Sequence, residues 1–393
     1  MYEHSERGKY FMRWIFLSNY YTHHQKPLCE ELYEITKHQF SFFSYEKFSD
    51  DRKKLGWNEQ TDVPFVKDCA SLDDETMSTA INEADIVLFG VAPLKSISNR
   101  LLNGKIVLKY SERVFKDKYN MLKWFPRLYR YWNRYGKYKS FYLLSAGAYT
   151  TYDFAIHGTF LNKSYKWGYF PETVRYDVDE LMSKKEIKTI LWCGRFIDWK
   201  HPDDALEIAS RLKDEGYDFS LKLIGAGEMD DSLQKMVHDN DLFDCVEFLG
   251  SMSPVDVRSY MESAGIYLFT SDFHEGWGAV LNEAMNSGCA TVSSHAAGAV
   301  PFLVKNNENG IIYKNNDKDD MYIKVKYLLD NPREQQRLGK NAYKTIAEVW
   351  NEKVAAQRLT RLVQEIKDHG YCDLYDDGPC SKAPLIKNNW FKG

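Results

Sequence analysis

From residue 189 to 288 the chain alternates short apolar runs with stretches of helical spacing, and few folds accommodate such a pattern. The runs TILWCG (189–194), FSLKLIG (219–225), CVEFLG (245–250) and the apolar 266–269 are each too short for a helix and read as buried strands. Between them lie helix signals: Pro202 with Asp203 and Asp204 in a first turn and Gly216 as a stop, a helix through Val237, and Ser253-Pro254 opening a helix to Ala264. Short strands alternating with helices imply a parallel sheet of Rossmann type. The first half is less regular. It offers strands at 13–19, 40–43, 85–90, 105–112 and 140–147, helices at 27–38, 75–84 and 149–157, and an extended segment at 164–172. Residues 50–72 are polar and carry no clear period. Helices are expected again at 317–330 and, as one long element, from about 335 to 367.

A chain of 393 residues is too long for one core and suits two domains. We expect one at 1–170, completed by 351–393, and a second at 171–350, beginning in the charged, aperiodic segment 171–188. With 44% hydrophobic and 27% charged residues, large-scale disorder is excluded. The longest apolar runs, such as 86–94, reach about half of a bilayer span. The N-terminus is polar and lacks a signal-peptide core. Seven scattered cysteines without a C-x-x-C pair read as buried thiols, so the expected location is the cytoplasm.

Chemistry is expected at 270–288, TSDFHEGWGAVLNEAMNSG. A strand ends, a polar turn passes through Glu275-Gly276-Trp277-Gly278, and helical spacing starts at Ala279 and Val280, with Gly288 as the stop. A glycine-flanked strand-to-helix turn aims free N–H groups and a helix dipole at the space above the sheet edge, which suits phosphate. Glu275 and Glu283 bracket it. A carboxylate beside a phosphate site suits paired donors such as the vicinal hydroxyls of a sugar or ribose. Each acid alone is equally well read as an ordinary helix-start residue.

EGWGAVLNEAMNSG resembles the E-x7-E signature of family 4, the retaining glycosyltransferases of two-Rossmann-domain (GT-B) architecture. The resemblance implies two facing Rossmann-like domains, with a C-terminal helix crossing back to the first. It implies Glu275 on the donor sugar, Glu283 on the nucleotide ribose, and the backbone at Gly276, Trp277, Gly278, Ala279 and Val280 on the diphosphate. Arg195 and Lys200 match the family pattern G-R-x4-K, which places cations on the diphosphate. FLGSM resembles the base-binding loop, with backbone groups at Ser251 and Met252. The turn at Gly225 and Gly227 is a weaker phosphate-loop signal. GAY-x-x-x-D followed by KWGYFPE resembles polysaccharide-assembly members. The match covers roughly 187–315; the first half fits only loosely.

On the acceptor side, His23 and His24 follow the first strand, where the family's join approaches donor and acceptor; a polar helix-start cluster is the alternative. Glu112-Arg113 closes the strand at 105–112, either facing a ligand or forming an internal salt bridge. Between residues 116 and 139, eight basic residues meet one acid, a net +7 that leaves −11 on the rest of the chain. Eight aromatics interleave with these charges. An anionic membrane surface is the expected partner, against a solvated helix with a buried aromatic side. No nucleic-acid-binding motif accompanies the block.

The reading is a glycosyltransferase using a UDP- or GDP-sugar and a glycan acceptor, lipid-linked, in bacterial cell-surface polysaccharide synthesis at the inner face of the membrane. It expects no cofactor and no metal: three D-x-D spacings sit away from strand ends, and no His/Cys ligand spacing occurs. The alternatives are a sugar-nucleotide epimerase on the same architecture and a non-catalytic partner subunit.

Overall fold

Fully buried strands set the architecture. Trp14–Ser18, Ile86–Phe89, Phe141–Ala146, Ala264–Phe269 and Ala290–Ser294 are buried at every position, which fits the centre of a parallel sheet covered on both faces. The computed structural model describes residues 12–46, 63–116 and 124–393. Among these the first sheet comprises β1 (Trp14–Ser18), β2 (Phe40–Ser44), β3 (Val66–Asp68), β4 (Ile86–Phe89), β5 (Val107–Ser111), β6 (Phe141–Ala146) and β7 (Ser164–Trp167). The second comprises β8 (Glu186–Cys193), β9 (Ser220–Ile224), β10 (Val246–Gly250), β11 (Ala264–Phe269), β12 (Ala290–Ser294) and β13 (Ile311–Tyr313). The orders are β3-β2-β1-β4-β5-β6-β7 and β10-β9-β8-β11-β12-β13, and all pairs within the sheets are parallel. Strand order reverses between β1 and β4 and between β8 and β11. Loops leaving the carboxyl ends there part to form ligand crevices.

Several elements differ from the sequence pattern. The second sheet has six strands rather than the four expected: β12 is built of Ala, Thr, Val and Ser without an apolar run, and β13 is an apolar run of only three residues. Strand β3 falls in the polar region 50–72, of which residues up to 62 lie outside the described ones. The single helix expected at 335–367 is two, Pro332–Glu348 and Glu352–His369. Trp350 turns into the core at the break, and the Asn351 side chain accepts from Val354 N at 2.9 Å to cap the second helix. That helix packs on Lys26–Ile35 of the first domain, so the expected crossing back is present. The tail then runs beside β7, with Lys166 N donating to Ser381 O at 2.7 Å and Ala383 N to Ser164 O at 3.0 Å.

The two domains share one core. Trp277, from the turn after β11, is fully buried between Phe302 and Trp350, with ring centroids 6.4 and 5.8 Å away. Trp350 stacks in turn on Phe170, which meets Trp167 of β7 at 4.8 Å. The Trp277 indole lies against Gly168, where a Cβ would collide with the ring. Its Nε1 donates to Asn282 Oδ1 at 2.8 Å. We predict that Gly168→Ala destabilises the protein by about 1–3 kcal/mol through overpacking. Urea unfolding measures it, and adding Trp277→Phe should return part of the loss.

Candidate active site

The loops after β8 and β11 are clasped together at the second crevice. Trp192 Nε1 donates to Thr270 Oγ1 at 2.8 Å, Thr270 Oγ1 donates to Lys200 O at 2.5 Å, and Asp272 N donates to Trp199 O at 3.0 Å. The clasp brings Lys200 Nζ to 2.7 Å from Glu275 Oε2, a mostly buried pair with side chains 14% and 13% exposed. Ser271 Oγ adds a donor to the same carboxylate oxygen at 3.3 Å. Arg195, on the same loop as Lys200, is exposed, and its side chain makes no hydrogen bond or ion pair among the described residues, while its carbonyl accepts from Ile197 N at 2.9 Å.

The turn itself is a close approach of three backbones. A Cβ at Gly147 or Gly298 would collide with the Gly276 carbonyl, and one at Gly276 would collide with the Glu112 carboxylate. Ala148 N donates to Gly298 O at 2.9 Å and Gly298 N to Glu275 O at 3.1 Å, so first-domain and second-domain backbones meet here. Gly278, at φ +94°, then caps the helix Ala279–Asn286 from the left-handed region. The first N–H groups of that helix, from Ala279 and Val280 on, have no intrahelical acceptor.

Glu283 lies in the second turn of the helix, and its side chain makes no hydrogen bond or ion pair among the described residues. Burial raises its pKa to about 7, against a weaker opposing pull from Arg258. Its charge reaches the Cys193 thiol, as does that of Lys200. Both Glu283 and Glu275 bear on the buried Tyr267, which donates to Cys193 O at 3.2 Å. Lys200, Glu275 and Glu283 therefore surround the carboxyl ends of β8 and β11. Gly225 and Gly227 lie in the loop after β9, with Gly225 N donating to Gly250 O at 2.9 Å. Ser251 follows β10 and is exposed, and Met252 packs on the core edge.

From the first domain, Glu112 reaches the Gly276 turn and accepts from the Tyr169 hydroxyl at 2.9 Å. Tyr169 lies 6.2 Å from the His24 ring, and His24 meets His23 at 4.0 Å. The acceptor-side candidates thus form one line leading to the donor-side turn. Arg113 takes the other course open to it. It is buried, 3.4 Å from Asp153 Oδ1, and lies over the Tyr149 and Phe273 rings at 4.9 and 5.8 Å. Asp153 also accepts from Val114 and Phe115 N–H at 3.0 Å each, which fixes the loop carrying Glu112. Tyr169 and Asp153 were not singled out by composition; the signals for them were the strings WGYFP and GAY-x-x-x-D. Among the described residues one group has metal-ligand character, His201, Asp203 and Asp204, with ligand atoms within 4.8 Å of one another. The Lys318 ammonium already lies 3.0 Å from Asp204.

Comparison with known proteins fits this geometry. Residues 177–345 match the family model of glycosyl transferases group 1. An uncharacterised glycosyltransferase of Haemophilus influenzae is 32% identical over 151 residues, 38% of this chain and 42% of that protein. The amylovoran biosynthesis glycosyltransferase AmsK of Erwinia amylovora is 26% identical over 182 residues, 45% of this chain and 44% of that one. The chain thus spans less than half the length of these curated relatives. The crystal structure of Anabaena HepE in complex with UDP superposes with a TM-score of 0.68 at 14% identity, over 90% of this chain and 100% of that one. A Rickettsia africae glycosyltransferase gives 0.66 at 14%, over 92% and 100%. The fold is of the GT-B type, and the match to the group 1 model lies in its second half.

Glu283 makes stability fall with pH. Its folded-state pKa is near 7 against an ordinary 4.5, so the folded protein holds a proton that the unfolded chain releases first. The penalty begins near pH 4.5, grows to about pH 7 and is then constant, at most about 3 kcal/mol. Melting temperatures of wild type and Glu283→Gln should diverge in the variant's favour across that window and run parallel above pH 8.

Proposed function

We propose that the protein is a retaining glycosyltransferase that moves a sugar from a UDP- or GDP-sugar to a hydroxyl of a glycan acceptor, in cell-surface polysaccharide synthesis. The observation that carries the reading is the Lys200–Glu275 pair beside a glycine turn and helix start, with Glu112 of the other domain against the same turn. A departing nucleoside diphosphate develops charge that preorganised cations and N–H groups stabilise. Lys200, Arg195 and the N–H groups from Trp277 to Val280 supply them, in place of a metal. Glu275, held by Lys200 and Ser271, accepts from donor-sugar hydroxyls. Glu283, unpaired and partly desolvated, accepts from the ribose diol, and backbone groups at Ser251 and Met252 contact the base.

The acceptor oxygen bonds to the anomeric carbon on the face that the diphosphate leaves. The carbon–phosphate-oxygen bond breaks, and the acceptor proton passes to the departing oxygen. The uridine side of the donor choice is supported by HepE, solved with UDP and with UDP-glucose. The polysaccharide setting is supported by AmsK, named for amylovoran biosynthesis.

A thermal-shift screen with UDP-, GDP-, CMP- and dTDP-sugars tests donor binding. The cognate donor at one hundred times its Kd should stabilise by about 2.7 kcal/mol. Labelled donor and acceptor should then give transfer that withstands EDTA, and Lys200→Ala should lower kcat by about 100- to 1000-fold. Appearance of an epimeric nucleotide sugar without acceptor would instead favour the epimerase, and a Glu275→Ala protein that sustains cellular function would favour a non-catalytic subunit.

A further inference from the structure

The basic block resolves into two aromatic faces with different fates. Residues 117–123 lie outside the described ones; the helix Trp124–Tyr131 and the turn Trp132–Gly136 carry the remainder. One face packs inward. Trp124 Nε1 donates to Ile156 O at 3.2 Å, Tyr131 stacks on His157 at 4.6 Å, and Tyr135 meets Phe154 at 5.5 Å. The other face presents Phe125, Tyr129 and Trp132, which are 75%, 74% and 52% exposed. Their spacing of four and three residues aligns them in one stripe on the helix. Domain packing accounts for the first set; in the second, Phe125 meets the Trp124 ring edge-on at 4.8 Å, and all three rings stay more than half exposed.

The stripe has a built character. The Trp132 ring lies over Gly136, where a Cβ would meet its Cε3 at 2.5 Å, so the glycine seats an indole that still faces outward. Arg130, Arg134, Lys137 and Lys139, on the same segment, are exposed, and residues 124–139 contain no acid. Aromatic side chains flanked by cations, on a short helix with no anion, match the chemistry of an interface between anionic headgroups and acyl chains. No helix among the described residues is long and apolar enough to cross a membrane, so such a contact would lie on the surface.

We propose that Phe125, Tyr129 and Trp132 form a membrane-docking stripe that inserts into an anionic lipid surface, with Arg130, Arg134 and Lys137 contacting the headgroups. The helix is tied to the loop that follows Glu112, since the Arg127 guanidinium lies over the Phe115 ring at 5.2 Å. Docking through this helix would bring that side of the first domain to the lipid, and on the transfer reading the glycan acceptor is then a lipid-linked one. The docking surface stands by itself; only the identity of the acceptor rests on the transfer reading.

The test is co-sedimentation of the full chain with vesicles of phosphatidylcholine alone and with about one-third phosphatidylglycerol. Wild type should bind the anionic vesicles. Phe125→Ser/Tyr129→Ser/Trp132→Ser should lose at least tenfold in partitioning at every salt concentration, because it removes apolar insertion. Arg130→Ala/Arg134→Ala/Lys137→Ala should lose about a hundredfold at low salt and little at high salt. Because the altered side chains are exposed, both variants should keep the wild-type melting temperature and its shift with nucleotide sugar. Equal binding by wild type and the aromatic variant overturns the proposal. So does a wild-type dimer that the aromatic variant dissolves while vesicles go unbound, or binding that excess RNA abolishes. Vesicle binding without a nucleotide-sugar shift would sink the transfer reading and leave the stripe standing; the reverse result would do the opposite.

Discussion

The packing of Trp277 against Gly168 is the contact on which the arrangement of the cleft depends. The indole belongs to the same four-residue turn that carries Glu275 and starts the helix bearing Glu283. Gly168 belongs to the segment that leaves the first sheet for the second. Any shift of one domain across the other would have to move this ring, which is enclosed by Phe302, Trp350 and the glycine. Dense packing admits few alternative positions. The domain interface and the phosphate-type turn are consequently one packing unit, and the turn's position is set from both sides.

Around that unit the charges are arranged unequally. Lys200 and Glu275 neutralise each other at 2.7 Å, so neither pays the full cost of burial alone. Among the described residues the Glu283 side chain has no such partner, and burial raises its pKa. Arg195 remains exposed and uncommitted. Among the described residues the site has one balanced pair, one cation and one acid whose side chains are unpaired, a capacity for a ligand that brings both an anionic group and hydroxyl donors. A nucleotide sugar has both.

The sequence made the second sheet legible because its strands are short apolar runs bounded by Pro, Gly and acidic helix starts. β8, β9, β10 and β11 lie where the pattern puts them. Strand β12 is silent in sequence because burial on both faces is achieved with Ala, Thr and Ser packed tightly rather than with bulk. The break at Trp350 was hidden for a related reason: the helical period continues across it, and only tertiary burial of the tryptophan decides that the chain turns. At the site, the resemblance to the family's G-R-x4-K and E-x7-E patterns implied that Lys200 and Glu275 serve one ligand. What the motifs could not provide was the contact between Glu112 and Gly276, which exists only because two distant loops approach each other closely. Likewise Arg113 and Glu112 are neighbours in the loop after β5, yet Arg113 turns into the core toward Asp153 while Glu112 turns to the cleft.

That divergence explains how the first domain addresses the second. Arg113 could not be buried without an anion, and Asp153 provides one while also accepting from the Val114 and Phe115 N–H groups. Breaking the pair from either side would strand a charge in the core, a cost of about 3–5 kcal/mol. The loop after β5 is therefore pinned immediately beyond Glu112. With its neighbour fixed, Glu112 has little freedom except the direction it takes, toward Tyr169 and the Gly276 turn. A buried ion pair of no direct chemical use thus sets the position of an exposed-side carboxylate, and the acceptor face of the cleft inherits its geometry from the core beneath it.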